Sequence, residues 1–378
     1  LLTQLQIHHL RNLSQVALRE LGQVNIFYGP NGSGKTSILE SVHMLGMSRS
    51  FRAGTPRTLV THGEQRCTVY GVTEFATAGQ RASVAVQREL SGELQIKLAG
   101  EKLRSVAELV AHLPLQVLNA ASFDLLTGSP AARRQFLNWG VFHVEQRFFS
   151  EWQRFQRCVK QRNKLLRRGK LEYSELSVWT RELAASGEQI HRYRQAYFEV
   201  LAPRFRAIMA ELSPGLNGLE LRYRKGWDKS LAYGDALASS EVADSEQGYT
   251  HVGPQRADLR VTVSGYSAAE TLSRGQQKLV VCGLKLAQGQ IMAESQPRGC
   301  VYLVDDLPSE LDVQHCRQVC EALTALQAQV FITCVDAKDL EGMWPEGVNP
   351  MMFHVEHGRV VERSATDPTQ EQPPSGCT

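Results

Sequence analysis

The sequence predicts an α/β head interrupted by a mainly helical second lobe, on three observations. A short β-prone run, Val24-Asn25-Ile26-Phe27-Tyr28, leads into a glycine-rich turn and then a helical pattern from Ser37 through Leu45. Two buried-strand signals, Tyr302-Leu303-Val304 and Val330-Phe331-Ile332, lie near the other end of the chain. Between them, from Pro130 to about Leu212, apolar residues recur every three or four positions with almost no glycine, which reads as helix.

The elements follow in order. Leu5, Ile7, Leu10, Leu13, Val16 and Leu18 read as paired strands, and the text from Cys67 to Leu98 is strand-like again. The character changes near Pro114, and Gly169 is the expected break between two long helices. Residues 213–247 read as loops and short strands. The resulting division is 1–115 for the N-terminal part of the head, 116–247 for the helical lobe, 248–362 for the C-terminal part of the head, and 363–378 for a polar, proline-rich tail expected to be disordered. The two parts of the head must find each other across the insertion, so neither is expected to be stable alone.

Bulk properties constrain the partners little. A chain of 378 residues exceeds what one hydrophobic core usually supports, and 42% hydrophobic with 21% charged residues is ordinary globular composition. The net charge of +3 neither demands nor excludes an anionic partner. No run of 18 apolar residues occurs, so no membrane-spanning helix is expected. The start, Leu1-Leu2-Thr3-Gln4, lacks signal-peptide order, and eight scattered cysteines fit a reduced, cytoplasmic compartment.

The chemistry centres on Gly29-Pro30-Asn31-Gly32-Ser33-Gly34-Lys35-Thr36, which matches G-x-x-x-x-G-K-T. Such glycines let backbone N–H groups surround phosphate oxygens, Lys35 reaches the β- and γ-phosphates, and the Thr36 hydroxyl serves Mg²⁺. An acidic partner should end a buried strand. Val301 to Val304 followed by Asp305 and Asp306 supplies it, with Asp305 holding Mg²⁺ and Asp306 orienting the attacking water. A third element, Leu272-Ser273-Arg274-Gly275-Gln276-Gln277-Lys278, precedes a long amphipathic helix. Ser273 reads as an N-cap; with the Gly275 backbone and the helix dipole it also reads as a γ-phosphate site.

Together these three elements resemble the ABC ATPases. Leu272 to Gln277 is similar to their signature motif, and Asp305-Asp306-Leu307-Pro308-Ser309-Glu310-Leu311-Asp312 to their Walker B and D-loop. Asp305 lies 269 residues after Thr36, much farther than in transporter domains, whereas the insertion is far shorter than an SMC coiled coil. That spacing resembles the RecF family of bacterial recombination mediators. Further matching segments are Leu10-Arg11-Asn12, Gly128 to Leu137, Gln161-Arg162-Asn163 and Gly248 to Pro254. The resemblance implies ATP and Mg²⁺ as ligands, with Arg11, Asn12, residues 29–36 and Ser37 around the nucleotide. It implies Ser273, Arg274, Gly275 and Gln276 acting in trans across an ATP-dependent homodimer, Ser309 and Asp312 in the D-loop, and Gln116 as Q-loop candidate. It further implies binding to DNA near single-strand/double-strand junctions, work with RecO and RecR in loading RecA, and slow hydrolysis, because aspartate stands at 306 where many ABC ATPases carry glutamate. Asn138 and Gln255 depart from the family, which usually shows Asp and His there. The alternative is a subunit energising a membrane transporter.

For DNA contact the sequence offers one stripe. No acidic residue lies between Glu151 and Glu172, and the stretch carries Arg154, Arg157, Lys160, Arg162, Lys164, Arg167, Arg168 and Lys170. A phosphate-binding stripe and a solvated helix face both fit. The interleaved Trp152 and Phe155 read better as packing residues than as base-stacking ones.

Overall fold

In the computed structural model the described residues are 1–52, 55–74, 79–168, 173–295 and 299–363. Gly169, Lys170 and the expected tail after residue 363 lie outside them. The chain divides into two compact units, Leu1–Ala120 with Pro297–Thr378, and Ala121–Gln296.

In the first unit β1 (Leu2–Leu10) and β2 (Leu13–Leu18) pair as a hairpin, and β3 (Val24–Tyr28) runs through the phosphate loop into helix α1 (Lys35–Met47). Strands β4 (Arg66–Glu74), β5 (Arg81–Glu89), β6 (Leu94–Leu98) and β7 (Glu101–Lys102) extend the hairpin into an antiparallel sheet of order β2-β1-β4-β5-β6-β7. Helix α2 (Val106–His112) and strand β8 (Leu115–Leu118) complete the N-terminal segment.

The second unit holds α3 (Asp124–Thr127), α4 (Pro130–Val144), α5 (Phe148–Leu166) and the long α6 (Tyr173–Leu212). Then come β9 (Leu219–Arg224), α7 (Tyr233–Ser239), α8 (Glu241–Gln247), β10 (Asp258–Val263), β11 (Tyr266–Ser267), α9 (Ala268–Thr271) and α10 (Arg274–Ser295). The chain returns to the first unit with β12 (Val301–Val304), α11 (Leu307–Glu310), α12 (Val313–Ala325), β13 (Gln329–Cys334), β14 (Met351–Glu356) and β15 (Arg359–Arg363). These form a second sheet of order β15-β14-β3-β13-β12-β8, in which all neighbours but the β14–β15 hairpin are parallel.

A parallel sheet must be covered on both faces, and the near-continuous apolar runs of β3, β12 and β13 are its signature. Phe27, Phe331 and Phe353 stack across three neighbouring strands, at 6.3 and 4.9 Å from Phe27. Helix α1 packs Ile38, Leu39, Val42 and Leu45 into the same core, which the first sheet shares through Leu5, Ile7, Val69 and Val84.

Two expectations are corrected here. The boundary of the second unit falls near residue 296 rather than 247, because β10 pairs along its length with β9 and α10 packs on α6. The signature segment therefore belongs to the helical unit. Residues 233–247 are two short helices instead of loops and strands. Cys316 and Cys320 share a face of α12, and both thiols are buried. Among the described residues no cluster of His, Cys, Asp and Glu is arranged to hold a metal ion, and no helix is long and apolar enough to cross a membrane.

The second unit is organised around a buried ion pair. Arg162 and Asp244 are both fully buried, 2.6 Å apart. The guanidinium also donates to the Thr250 hydroxyl at 2.9 Å and the Thr180 hydroxyl at 3.1 Å. The other Asp244 oxygen accepts from the His251 N–H at 2.9 Å, while Asn163 accepts from the Thr250 N–H at 2.8 Å. The segments Gln161-Arg162-Asn163 and Thr250-His251 thus lock together. Removing one partner of such a pair strands a buried charge, so Arg162→Met is expected to lower unfolding free energy by about 3–5 kcal/mol. Urea denaturation checks this, and adding Asp244→Asn should restore part of the loss.

Candidate nucleotide site

Strands β3, β12 and β13 are parallel and end at one edge, where ligands bind in open α/β sheets. There β3 delivers the phosphate loop and β12 delivers Asp305. The Thr36 hydroxyl donates to Asp305 Oδ1 at 3.0 Å. Thr333, at the end of β13, donates to the same oxygen at 2.8 Å, and its hydroxyl accepts the Asp306 N–H at 2.9 Å. Asp306 itself sits in left-handed backbone, φ 56°, and its carboxylate accepts the Ser309 hydroxyl at 2.6 Å. The two candidate acidic residues are therefore oriented by hydroxyls from the phosphate loop, from β13 and from the D-loop. Thr333 was not singled out in the sequence; its position directly after the Phe331-Ile332 strand signal is the clue that could have found it.

Lys35 Nζ donates to the carbonyls of Gly29 at 2.6 Å and Pro30 at 3.0 Å, folding the loop around the ammonium group. Burial pulls its pKa below the ordinary lysine value, while Asp306 and Asp305 oppose the shift. Pro30, Asn31 and Gly32 form an exposed rim, whereas Ser33 and Gly34 are buried. Helix α1 begins at Lys35 with no side chain capping its N-terminus. The Ser33 hydroxyl is buried with no hydrogen-bond partner among the described residues. An uncapped helix start beside an orphaned hydroxyl and a lysine suits a bound phosphate, so the residues present fit a nucleotide triphosphate. Mg²⁺ would fall to Thr36 and Asp305, the oxygen donors that such a hard cation takes.

The loop is braced from both ends of the sequence. Asn12 donates to the Gly32 carbonyl at 3.3 Å and accepts the Ser37 hydroxyl at 3.0 Å. Gly358, in the β14–β15 turn, donates its N–H to the Ser33 carbonyl at 2.8 Å. Arg11 forms a two-pronged pair with the fully buried Glu40 at 2.9 and 2.8 Å, and Glu40 also accepts the Ser50 hydroxyl.

Gln116 is not brought to this edge. It is buried in β8 opposite Tyr302, and Tyr302 pairs through Val330 with Val24. That level lies four residues, roughly 13 Å, below Tyr28, where the phosphate loop begins.

On the second unit Ser273 and Gln276 form a reciprocal capping box. The Ser273 hydroxyl accepts the Gln276 N–H at 3.3 Å, and the Gln276 side chain accepts the Ser273 N–H at 3.0 Å. Gln277 secures the preceding turn through the carbonyls of Ala269 and Leu272, both at 2.9 Å. Ser273, Arg274 and Gly275 are exposed, and a Cβ on Gly275 would meet no atom within 4 Å among the described residues beyond its chain neighbours and its own helix backbone. In the D-loop Asp312 caps α12, accepting the His315 N–H at 3.0 Å and its ring Nδ1 at 2.6 Å.

The basic stripe is divided by its surroundings. Arg162 is the buried partner of Asp244 and has no surface to offer, which corrects its place among the DNA contacts. Arg154 pairs with Glu182, Arg168 lies 3.8 Å from Glu175, and Arg167 donates to the Gly248 carbonyl at 3.2 Å. Arg157, Lys160 and Lys164 remain, exposed and with no acidic partner among the described residues. Their three- and four-residue spacing places them on one face of α5. Phe155 is buried and stacks on Trp152, over which the Arg194 guanidinium sits at 5.3 Å, so both aromatics pack.

The turn at Gly358 ties the bracing to a measurable outcome. It holds φ 75°, and a Cβ there would stand 2.2 Å from the Asn12 carbonyl oxygen. Gly358→Ala is expected to cost about 1–3 kcal/mol by thermal or urea unfolding, and to weaken nucleotide binding by loosening the loop.

Residues 1–359 match the family model for the RecF/RecN/SMC N terminal domain. The DNA replication and repair protein RecF of Stutzerimonas stutzeri (strain A1501) is 49% identical over 361 residues, covering 96% of this chain and 97% of that protein. The protein of the same name from Pseudomonas aeruginosa (strain LESB58) is 48% identical with the same coverage. A solved structure of the recombination mediator protein RecF with ATP, in the RecFOR pathway, superposes with a TM-score of 0.82 at 26% identity, over 96% of this chain and 97% of that one. An Smc head bound to the C-winged helix domain of ScpA shares the fold at a TM-score of 0.59 and 14% identity, over 96% and 98% of the two chains. The chain therefore belongs to the RecF/RecN/SMC family of ABC-type ATPases, among the RecF proteins of DNA replication and repair.

Proposed function

We infer that this protein is a nucleotide-switched DNA clamp of recombinational repair, closed as a homodimer by ATP and reset by slow hydrolysis. The observation that carries the reading is the exposed start of α10, where Ser273 and Gly275 face open space. A glycine that no neighbour in its own chain requires is suited to close approach by a ligand from outside. The phosphate loop of one copy, with the start of α10 from a second, would enclose the nucleotide between them. A ligand that touches both copies only in the dimer favours the dimer. Its solved relative with ATP supports the nucleotide, and the relatives' names support work on DNA. The transporter reading is not favoured by these relatives.

In this scheme Lys35 and the α1 N-terminus bind phosphate, and Thr36 and Asp305 hold Mg²⁺. When bound there, Mg²⁺ would supply charge neutralisation at the phosphate oxygens. Asp306, kept in place by the Thr333 hydroxyl and Ser309, orients water. The shorter aspartate and the D-loop bond fit weak turnover, stimulated when DNA stabilises the closed dimer. Arg157, Lys160 and Lys164 are the candidate phosphate contacts on α5. Gapped DNA with a single-strand/double-strand junction, RecO and RecR, and through them RecA, are the proposed partners.

Fluorescence anisotropy on a gapped duplex with ATP, ADP or no nucleotide tests the switch. Tight, salt-sensitive binding with ATP alone is expected, and equal binding in all three states would remove it. Lys35→Ala should abolish ATP binding, whereas Ser273→Arg should retain ATP and lose ATP-dependent dimerisation by sedimentation. Thr333→Val removes a bond to a charged group worth about 1.5–3 kcal/mol, so turnover should fall about tenfold or more with little change in ATP affinity.

A further inference from the structure

The second unit carries a basic basin that shares no residue with the α5 stripe. It is a cavity of about 900 Å³ between the end of β9, the turn after it and the start of β10. Five cations line it, Arg224, Lys225, Lys229, Arg256 and Arg260, against the two carboxylates of Asp228 and Asp258. The carboxylates are engaged. Asp258 accepts Arg133 at 2.7 Å and Arg260 at 2.9 Å, and Asp228 accepts the Ser230 N–H at 2.8 Å and its hydroxyl at 2.6 Å. Arg224, Lys229 and Arg256 are exposed and form no ion pair within 4.0 Å among the described residues, although Lys229 is near enough to Asp228 to help hold its pKa down.

The basin is built rather than incidental. Lys225 donates to the Leu231 carbonyl at 2.8 Å and lies 4.8 Å over the Trp227 ring, which fixes the turn between Arg224 and Lys229. The Gly253 N–H donates to the Gly226 carbonyl at 3.1 Å, joining that turn to the segment that carries Arg256. Arg256 is steadied 5.7 Å over the Tyr249 ring. His191, at the wall, is held below its ordinary pKa by burial and adds no charge near neutral pH.

The aromatic groups decide between occupants. His191 stacks on Tyr223 at 5.8 Å and meets Trp227 edge-on at 5.3 Å, and Trp227 also faces Tyr233 at 4.7 Å. These rings pack on one another, and the charged side chains that line the basin outnumber the aromatic ones. The basin offers unpaired cations on a fixed frame, which suits a regular polyanion recognised through its phosphates.

We propose that this basin binds the phosphodiester backbone of a nucleic acid, as a second contact region beside the α5 face. The assignment rests on the DNA-binding reading above. Each phosphate contact contributes about 0.9 to the slope of log affinity against log salt on duplex DNA.

The test uses the full chain with ATP and Mg²⁺, a labelled gapped duplex, and a sodium chloride titration. R224A/K229A/R256A should bind about tenfold or more weakly and lose about 2–3 from the salt slope, with ATP binding and unfolding temperature unchanged. A parallel R157A/K160A/K164A variant separates the two regions. If the α5 variant loses DNA and the basin variant matches wild type in affinity and slope, the basin proposal falls and the clamp reading stands. If wild type leaves the duplex free in every nucleotide state, the DNA reading itself falls and takes the basin with it. If a polyglutamate peptide binds wild type and is lost with the basin variant while DNA binding stays, the basin docks an acidic protein segment and the proposal is overturned.

Discussion

A single carboxylate oxygen of Asp305 accepts hydroxyls from Thr36 and from Thr333, and the first of these bonds spans 269 residues of sequence. The candidate site exists only when that closure is made. The parallel sheet makes it possible, because β3 can pair with β13 and β14 only after the whole insertion has been bypassed. Loop-closure entropy grows slowly, about 0.6 kcal/mol for each doubling of length. Most of the cost is therefore met by the first tens of residues, and an insertion the size of the second unit adds modestly to it. The apolar stack of Phe27, Phe331 and Phe353, drawn from both sequence ends, is what offsets it.

Within the inserted unit the electrostatic arrangement is unusual. Arg162 has a full carboxylate partner, but Arg194, equally buried, is met by neutral groups. These are the Asn138 side chain at 2.9 Å and the Pro254 carbonyl at 2.8 Å. Burial lowers its pKa to about 10, which leaves it charged near neutrality. Tyr223 bonds it as well, so this chain holds a buried cation on neutral dipoles and the Trp152 face.

Much of this was legible in the sequence because its signals are local. The strand-loop-helix from Val24 to Leu45, the strand leading into Asp305 and the cap at Ser273 each declare themselves within one short stretch of sequence. What failed was non-local. The boundary near residue 296 depends on β10 choosing β9 as its neighbour, which no local pattern states. Gln116 looked plausible by type, but its depth in the sheet follows from register with Tyr302 and Val24. Arg162 read as one of several equivalent cations, since its partner Asp244 lies 82 residues away. Residues 233–247 are too short and polar for periodicity to distinguish helix from loop.

The turn at Gly358 has a consequence for the order of synthesis. It clasps the Ser33 carbonyl, and β3 takes both its neighbours from residues beyond 328. On the ribosome the phosphate loop emerges before its clasp, which follows only on the order of tens of seconds later at ordinary elongation rates. Throughout that interval Val24, Ile26 and Phe27 lack the strands that bury them. A nascent chain would hold its phosphate loop unclasped, and an apolar strand exposed to chaperones, until the residues around 358 have been made.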